Sequence, residues 1–159
     1  GDSFTEKRLC RCMYYKNSNH ETECELCGYR ERFKVTGDYQ IIDYEVPAFY
    51  YGDGIGEIDL VISDGVDCYA TEVKPYKNNK ETLLRMIAEI MTYTDGYTEG
   101  VYKKAIAFFE KNCDDGSVTS QQREYDEKEL ETSELIKKAD ITVFRFEIAG
   151  ENEFRICRL

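Results

Sequence analysis

Residues 56–75, GEIDLVISDGVDCYATEVKP, constrain the fold more than any other stretch, because two β-branched and apolar runs flank the pair Asp64-Gly65. Asp-Gly between such runs predicts a β-hairpin closed by a two-residue turn. In that register Glu57 lies opposite Glu72, Asp59 lies opposite Ala70, and Lys74 follows two residues beyond Glu72. Directly opposed residues share a face, and so do residues two apart on one strand. Glu57, Asp59, Glu72 and Lys74 therefore project to one side. Ile58, Leu60, Ile62, Tyr69 and Val73 project to the other, which reads as the core face. A three-residue loop would send the acids of the two strands to opposite faces, and a four-residue loop would reunite them.

Three carboxylates on one sheet face repel each other unless a cation sits among them. Ligands that are all oxygen favour a hard divalent ion, Mg²⁺ or Mn²⁺. Such an ion polarises a phosphoryl oxygen and lowers the pKa of a bound water, while a nearby lysine orients that water or steadies charge on phosphate. A solvated face carrying a cross-strand salt bridge would account for any one of these residues singly.

Asp59, twelve intervening residues and then Glu72-Val73-Lys74 resemble the core motif of the PD-(D/E)xK phosphodiesterase superfamily. GEIDLV…EVK is most similar in wording to the branch of archaeal Holliday junction resolvases and their small bacterial relatives. The resemblance implies a restriction-endonuclease-like α/β fold, a mixed central sheet flanked by helices, and metal-dependent hydrolysis of phosphodiester bonds in DNA. It implies Asp59 and Glu72 as Mg²⁺ or Mn²⁺ ligands, Lys74 as the catalytic lysine and the Val73 carbonyl as a further ligand. Many members place another acid on a helix before the first core strand. This chain departs from that pattern, since residues 29–51 read as strands, and Glu57 takes the role on geometric grounds, with Glu45 as second candidate. Glu89 and Tyr93 stand four apart where some branches carry Gln and Tyr. Glutamate departs from that pattern, so they are accessory candidates only, and an ordinary partly exposed helix pair accounts for them better.

Upstream, Cys10, Cys12, Cys24 and Cys27 form C-x-C…C-x-x-C with Gly28 following. Four thiolates would close a structural Zn²⁺ site with no open coordination position. The C-x-C half is tight, so His20 is an alternative to one cysteine. Nothing reads as a signal peptide, which favours a reducing, cytoplasmic setting and metal over disulfides. His20 is the only histidine, which argues against Ser-His or Cys-His hydrolysis. Cys68, Cys113 and Cys157 stand isolated and read as ordinary thiols.

Residues 1–35 read as a zinc-ribbon-like module and residues 36–159 as the nuclease-like domain. Residues 1–35 hold seven Lys/Arg and six Asp/Glu, a balance of +1, which leaves −12 for residues 36–159 out of a total of −11. A gripper of phosphate backbones is usually basic, so the module's Lys and Arg, interleaved with Tyr14, Tyr15 and Tyr29, are either a nucleic-acid contact surface or a solvated face. The acidic body also suits two alternatives: an inactive nuclease-fold module that binds nucleic acid or protein, or a subunit of a larger nucleic-acid-processing assembly. A homodimer or a partner protein is compatible with either. No apolar run approaches the ~20 residues of a membrane span.

After Pro75, Asn78 or Asn79 caps a helix through about Thr94, with Leu83, Leu84, Ile87, Ala88 and Met91 as its expected buried stripe. Residues 103–109 read as a strand, 126–138 as a second helix, and 141–148 and 153–159 as further strands. The polar stretch 112–124 reads as the longest loop.

Overall fold

A computed structural model describes residues 10–11, 13–14, 34–48, 56–74, 83–98, 100–109, 133–150 and 153–159. Strands β1 (Lys34–Thr36), β2 (Gln40–Pro47), β3 (Glu57–Ser63), β4 (Cys68–Lys74), β5 (Lys103–Phe109), β6 (Ile141–Gly150) and β7 (Glu153–Arg158) form one sheet. Its seven strands run in the order β1-β7-β6-β5-β4-β3-β2. Pairing is parallel for β1 with β7, β4 with β5 and β5 with β6, and antiparallel elsewhere, so the sheet is mixed. Helices α1 (Leu83–Thr94) and α2 (Glu134–Lys138) complete a mixed α/β fold. The strand read over 103–109 is found at those bounds. Of the helix read over 126–138, residues 126–132 lie outside the described residues, as does the loop 112–124.

The sheet must curl. β1 and β2 lie at its opposite edges, yet Gly37, Asp38 and Tyr39 alone connect them, and so short a link spans at most about 14 Å. Gly37 turns the chain at φ 102°, and Tyr39 then meets Phe144 edge-on at 5.1 Å. The concave face is apolar, with Leu60, Ile62, Tyr69, Val73, Phe109, Phe144, Phe146 and Ile156 in one core. Cys10 and Met13, both helical, pack into that core. Arg11 fastens the same segment to β2 through Glu45, at 3.2 Å to each carboxylate oxygen.

The convex face is also covered, where sequence alternation alone leaves it open. Val61, Ala70, Ile106, Phe108, Ile141 and Val143 meet Leu83, Met86, Ile87 and Ile90 of α1 and Ile136 of α2. Strands buried on both sides read as continuous apolar runs, and β5 does. The expected helix stripe is therefore turned about the axis: Leu84 and Met91 are 64% and 46% exposed, while Met86 and Ile90 are buried. Because α1 lies on this face, the acids of β3 and β4 end beneath a helix. α2 is brief but well capped, with Ser133 Oγ accepting the Ile136 N–H at 3.3 Å and Lys137 and Lys138 in its last turn.

Candidate active site

The hairpin forms, but with a different turn. β3 pairs with β4 through Ser63↔Cys68, Ile62↔Tyr69, Val61↔Ala70 and Leu60↔Thr71, so Asp64, Gly65, Val66 and Asp67 are the loop. The side chain of Asp64 decides this. Its Oδ1 accepts the N–H groups of Val66 at 2.9 Å and Asp67 at 2.7 Å, which holds its carboxyl below the ordinary value. Asp64 thus opens a four-residue turn in place of supplying half of a two-residue one. The change moves each partner by two positions, so the expected opposition of Glu57 to Glu72 and of Asp59 to Ala70 is corrected. The acids keep one face because the shift is even.

The ladder described between β3 and β4 runs as far as Leu60↔Thr71. Beyond it the Val73 N–H, which points along the sheet toward β3, donates to Asp59 Oδ2 at 2.8 Å. In an extended strand the N–H and C=O of one residue point the same way, so the Val73 carbonyl also faces the Asp59 side. Asp59, Glu72 and Lys74 are 8%, 3% and 8% exposed, unusually deep for such residues.

Glu72 is the focus of the cluster. Lys74 Nζ lies 3.2 Å from Glu72 Oε1 and 3.9 Å from Glu89 Oε2, and Arg85 Nε reaches Glu89 Oε1 at 3.3 Å. Among the described residues Glu72 Oε2 is buried without a hydrogen-bond partner. Burial and the neighbouring Asp59 push the Glu72 carboxyl up to about 10, a proton shared with Glu89 adds to this, and Lys74 opposes it. An adjoining carboxylate can satisfy Oε2 only by way of such a proton. Tyr93, one turn beyond Glu89, is pushed up to about 12 by its own burial and then by Glu89, Glu72 and Asp59. Gly56 makes room for it: a Cβ there would stand 2.9 Å from the Tyr93 hydroxyl, and φ is +104°.

Of the residues expected from sequence, the structure joins Asp59, Glu72, Val73 and Lys74, and adds Glu89 and Tyr93 from α1. Glu57 opens β3 as an exposed residue. Glu45, at φ 48°, is held by Arg11. Cys12, Cys24, Cys27 and His20 lie outside the described residues, while Cys10 is buried in the concave core. The spacing of Glu89 from Tyr93 signalled their pairing, but only the rotation of α1 puts them over Glu72.

Among the described residues, no group of three or more His, Cys, Asp or Glu is arranged to hold a metal ion as it stands. The donor chemistry nevertheless fits a hard divalent cation. Glu72 Oε2 is an orphaned buried oxygen beside a second carboxylate, and the proton that Glu72 retains is what a cation would displace. No helix among the described residues is long and apolar enough to cross a membrane.

No protein-family profile and no curated protein matches the sequence. Among solved structures, SfsA of Pyrococcus furiosus in complex with Ca²⁺ is similar at 17% identity and a TM-score of 0.33, over 76% of this chain. The chain spans about half, 53%, of the length of that protein.

Proposed function

We propose that this protein is a metal-dependent nuclease that hydrolyses phosphodiester bonds in DNA at Asp59, Glu72 and Lys74. The observation that carries the reading is the orphaned oxygen of Glu72, on a carboxyl pushed up to about 10 beside Asp59 under α1. Two acids forced together at a buried site, with a lysine 3.2 Å away, are costly to the fold and useful to phosphoryl chemistry. Asp59, Glu72 and the Val73 carbonyl would hold Mg²⁺ or Mn²⁺, with Glu89 the nearer third carboxylate and Glu57 a rim candidate. Bound there, the cation would supply charge for the phosphoryl oxygens and acidify a water.

The chain's own residues do the rest. The Val73 N–H holds one oxygen of Asp59 at 2.8 Å, which fixes the orientation of that carboxylate. Lys74, between Glu72 and Glu89, orients the attacking water and offsets charge on the phosphate. Tyr93 and α1 exclude bulk water from that side, which strengthens each of these interactions. Cys10, Cys12, Cys24 and Cys27, with His20 in reserve, would hold a structural Zn²⁺ that fastens the helical residues around Cys10.

The test is cleavage of duplex, single-stranded and branched DNA with Mg²⁺ or Mn²⁺, using Asp59→Ala and Lys74→Ala as controls. Cleavage lost in both supports the reading, and cleavage surviving both sinks it. A second reading, a nuclease scaffold that binds without cutting, is favoured by one observation: Lys74 Nζ already stands 3.2 Å from Glu72 Oε1, where a cation would compete with it. Calorimetric titration with Mn²⁺ separates the two, since only the enzyme requires a site there.

A further inference from the structure

Lys74 holds the position that a metal ion would contest. Its Nζ stands 3.2 Å from Glu72 Oε1 and 3.9 Å from Glu89 Oε2, so one ammonium links an acid of β4 to an acid of α1. The link is enclosed. A lysine ordinarily buries its stem and leaves its ammonium in water, whereas the whole Lys74 side chain is only 11% exposed. Asp59, whose Oδ2 accepts the Val73 N–H at 2.8 Å, acts on the same Glu72 carboxyl as a neighbouring charge. A buried ammonium needs acids beside it, and these acids are also the candidate metal ligands.

Ammonium and divalent cation are therefore rivals. Both are attracted to Glu72, and two positive charges that share one carboxylate repel each other strongly where little water screens them. The loss is mutual: by linkage, each cation weakens the hold on the other by the same factor. The side chain of Lys74 is the part that can yield. Its backbone ends β4 in register with Phe108 of β5, while its four-carbon stem rotates readily.

We propose that Lys74 is the resident counter-ion of the acid cluster in the metal-free protein, and that Mg²⁺ or Mn²⁺ binding at Asp59 and Glu72 displaces its ammonium toward the substrate phosphate. The proposal rests on the nuclease reading of that site. Lys74 then serves twice. Without metal it steadies acids that would otherwise repel each other beneath α1, and with metal it is turned to the phosphate. The catalytic amine is thus tied down until the cation is loaded.

Calorimetric titration of Mn²⁺ into the full chain and into Lys74→Met tests the rivalry, since methionine keeps a flexible apolar side chain and removes the charge. The variant should bind Mn²⁺ about tenfold tighter or more, whereas Asp59→Asn should bind it more weakly. A misfolded variant cannot gain affinity. A second measurement uses the unaltered protein: limited acylation of its amines, located by peptide mass spectrometry, should modify Lys74 several-fold faster in Mn²⁺ than in EDTA. Lys103, paired with Asp67 and 56% exposed, is the internal reference. Mn²⁺ binding to Lys74→Met that is no tighter, or labelling of Lys74 that Mn²⁺ leaves unchanged or lowers, overturns the proposal. Uptake of Mn²⁺ by neither protein overturns it together with the nuclease reading. Protein that shows both effects but never cuts DNA rejects the nuclease reading alone, and protein that cuts while Lys74→Met binds Mn²⁺ no tighter rejects the exchange alone.

Discussion

Two carboxylates on the same face of the sheet have opposite fates. Glu72 is pushed up to about 10, whereas Glu147 is held down at about 2. Glu72 lies beneath α1 beside Asp59 and Glu89, with Lys74 at 3.2 Å, and burial and like charge both favour its neutral form. Glu147 lies between Arg145 and Arg155, both within 3.1 Å, with its side chain partly exposed. Neighbouring charge and the roof of α1 account for the contrast, with no difference of residue type. A carboxylate left short of positive charge is a place for a cation.

The largest expected effect is on the acid-rich side. Asp59→Ala and Lys74→Ala should each reduce metal-dependent DNA cleavage by on the order of 10²-fold or more, measured in single-turnover assays. Undiminished rates in both would break the contrast, because Glu72 would then be merely a buried acid. Next comes the packing that encloses it. Gly56→Ala sets a Cβ 2.9 Å from the Tyr93 hydroxyl at a φ of +104°, so it should destabilise the chain by about 1–3 kcal/mol in urea unfolding and unseat Tyr93.

The pH dependence sharpens the comparison further. Below its unfolded value of about 4.5, Glu72 is protonated in both states and its contribution is fully present. Between there and about 10 the folded chain keeps a proton that the unfolded chain releases, so metal-free stability falls as pH rises. Thermal melts from pH 5 to 9 should show the decline, and Glu72→Gln should remove its share. Mn²⁺ should stabilise the protein more at pH 9 than at pH 5, with proton release detectable by calorimetry in two buffers. Glu147 works in the other direction: its contribution is present above about 4.5 and is lost as pH falls toward 2. Since its pairs meet solvent, Glu147→Gln should cost under about 1 kcal/mol at pH 7, the smallest effect.

The hairpin, the shared face of its acids and most strands were legible, because alternation with period two and an Asp-Gly turn are local signals. The turn itself was misjudged by two residues. Asp64 can either sit inside a tight turn or accept N–H groups of a longer one, and nothing local ranks the two. Leu83 and Ile87 of the expected stripe are buried, but Leu84, Ala88 and Met91 are exposed, since an apolar stripe broad enough to be rotated does not say which edge meets the sheet. Arg145 and Arg155 were unmarked in sequence. They come onto the face of Lys74 only through successive strand registers.

The sequence by itself carried the parity that lets Asp59, Glu72 and Lys74 share a side for any loop of even length, and the four-residue loop fulfils it. Only the tertiary structure decided that this side is roofed by α1 and that Glu89 and Tyr93 close over it. The physical reason is range. Parity along a strand is set by neighbouring bonds, whereas the burial and the Asp59 and Glu89 carboxyls that push Glu72 up to about 10 are brought to it from elsewhere in the chain by the fold.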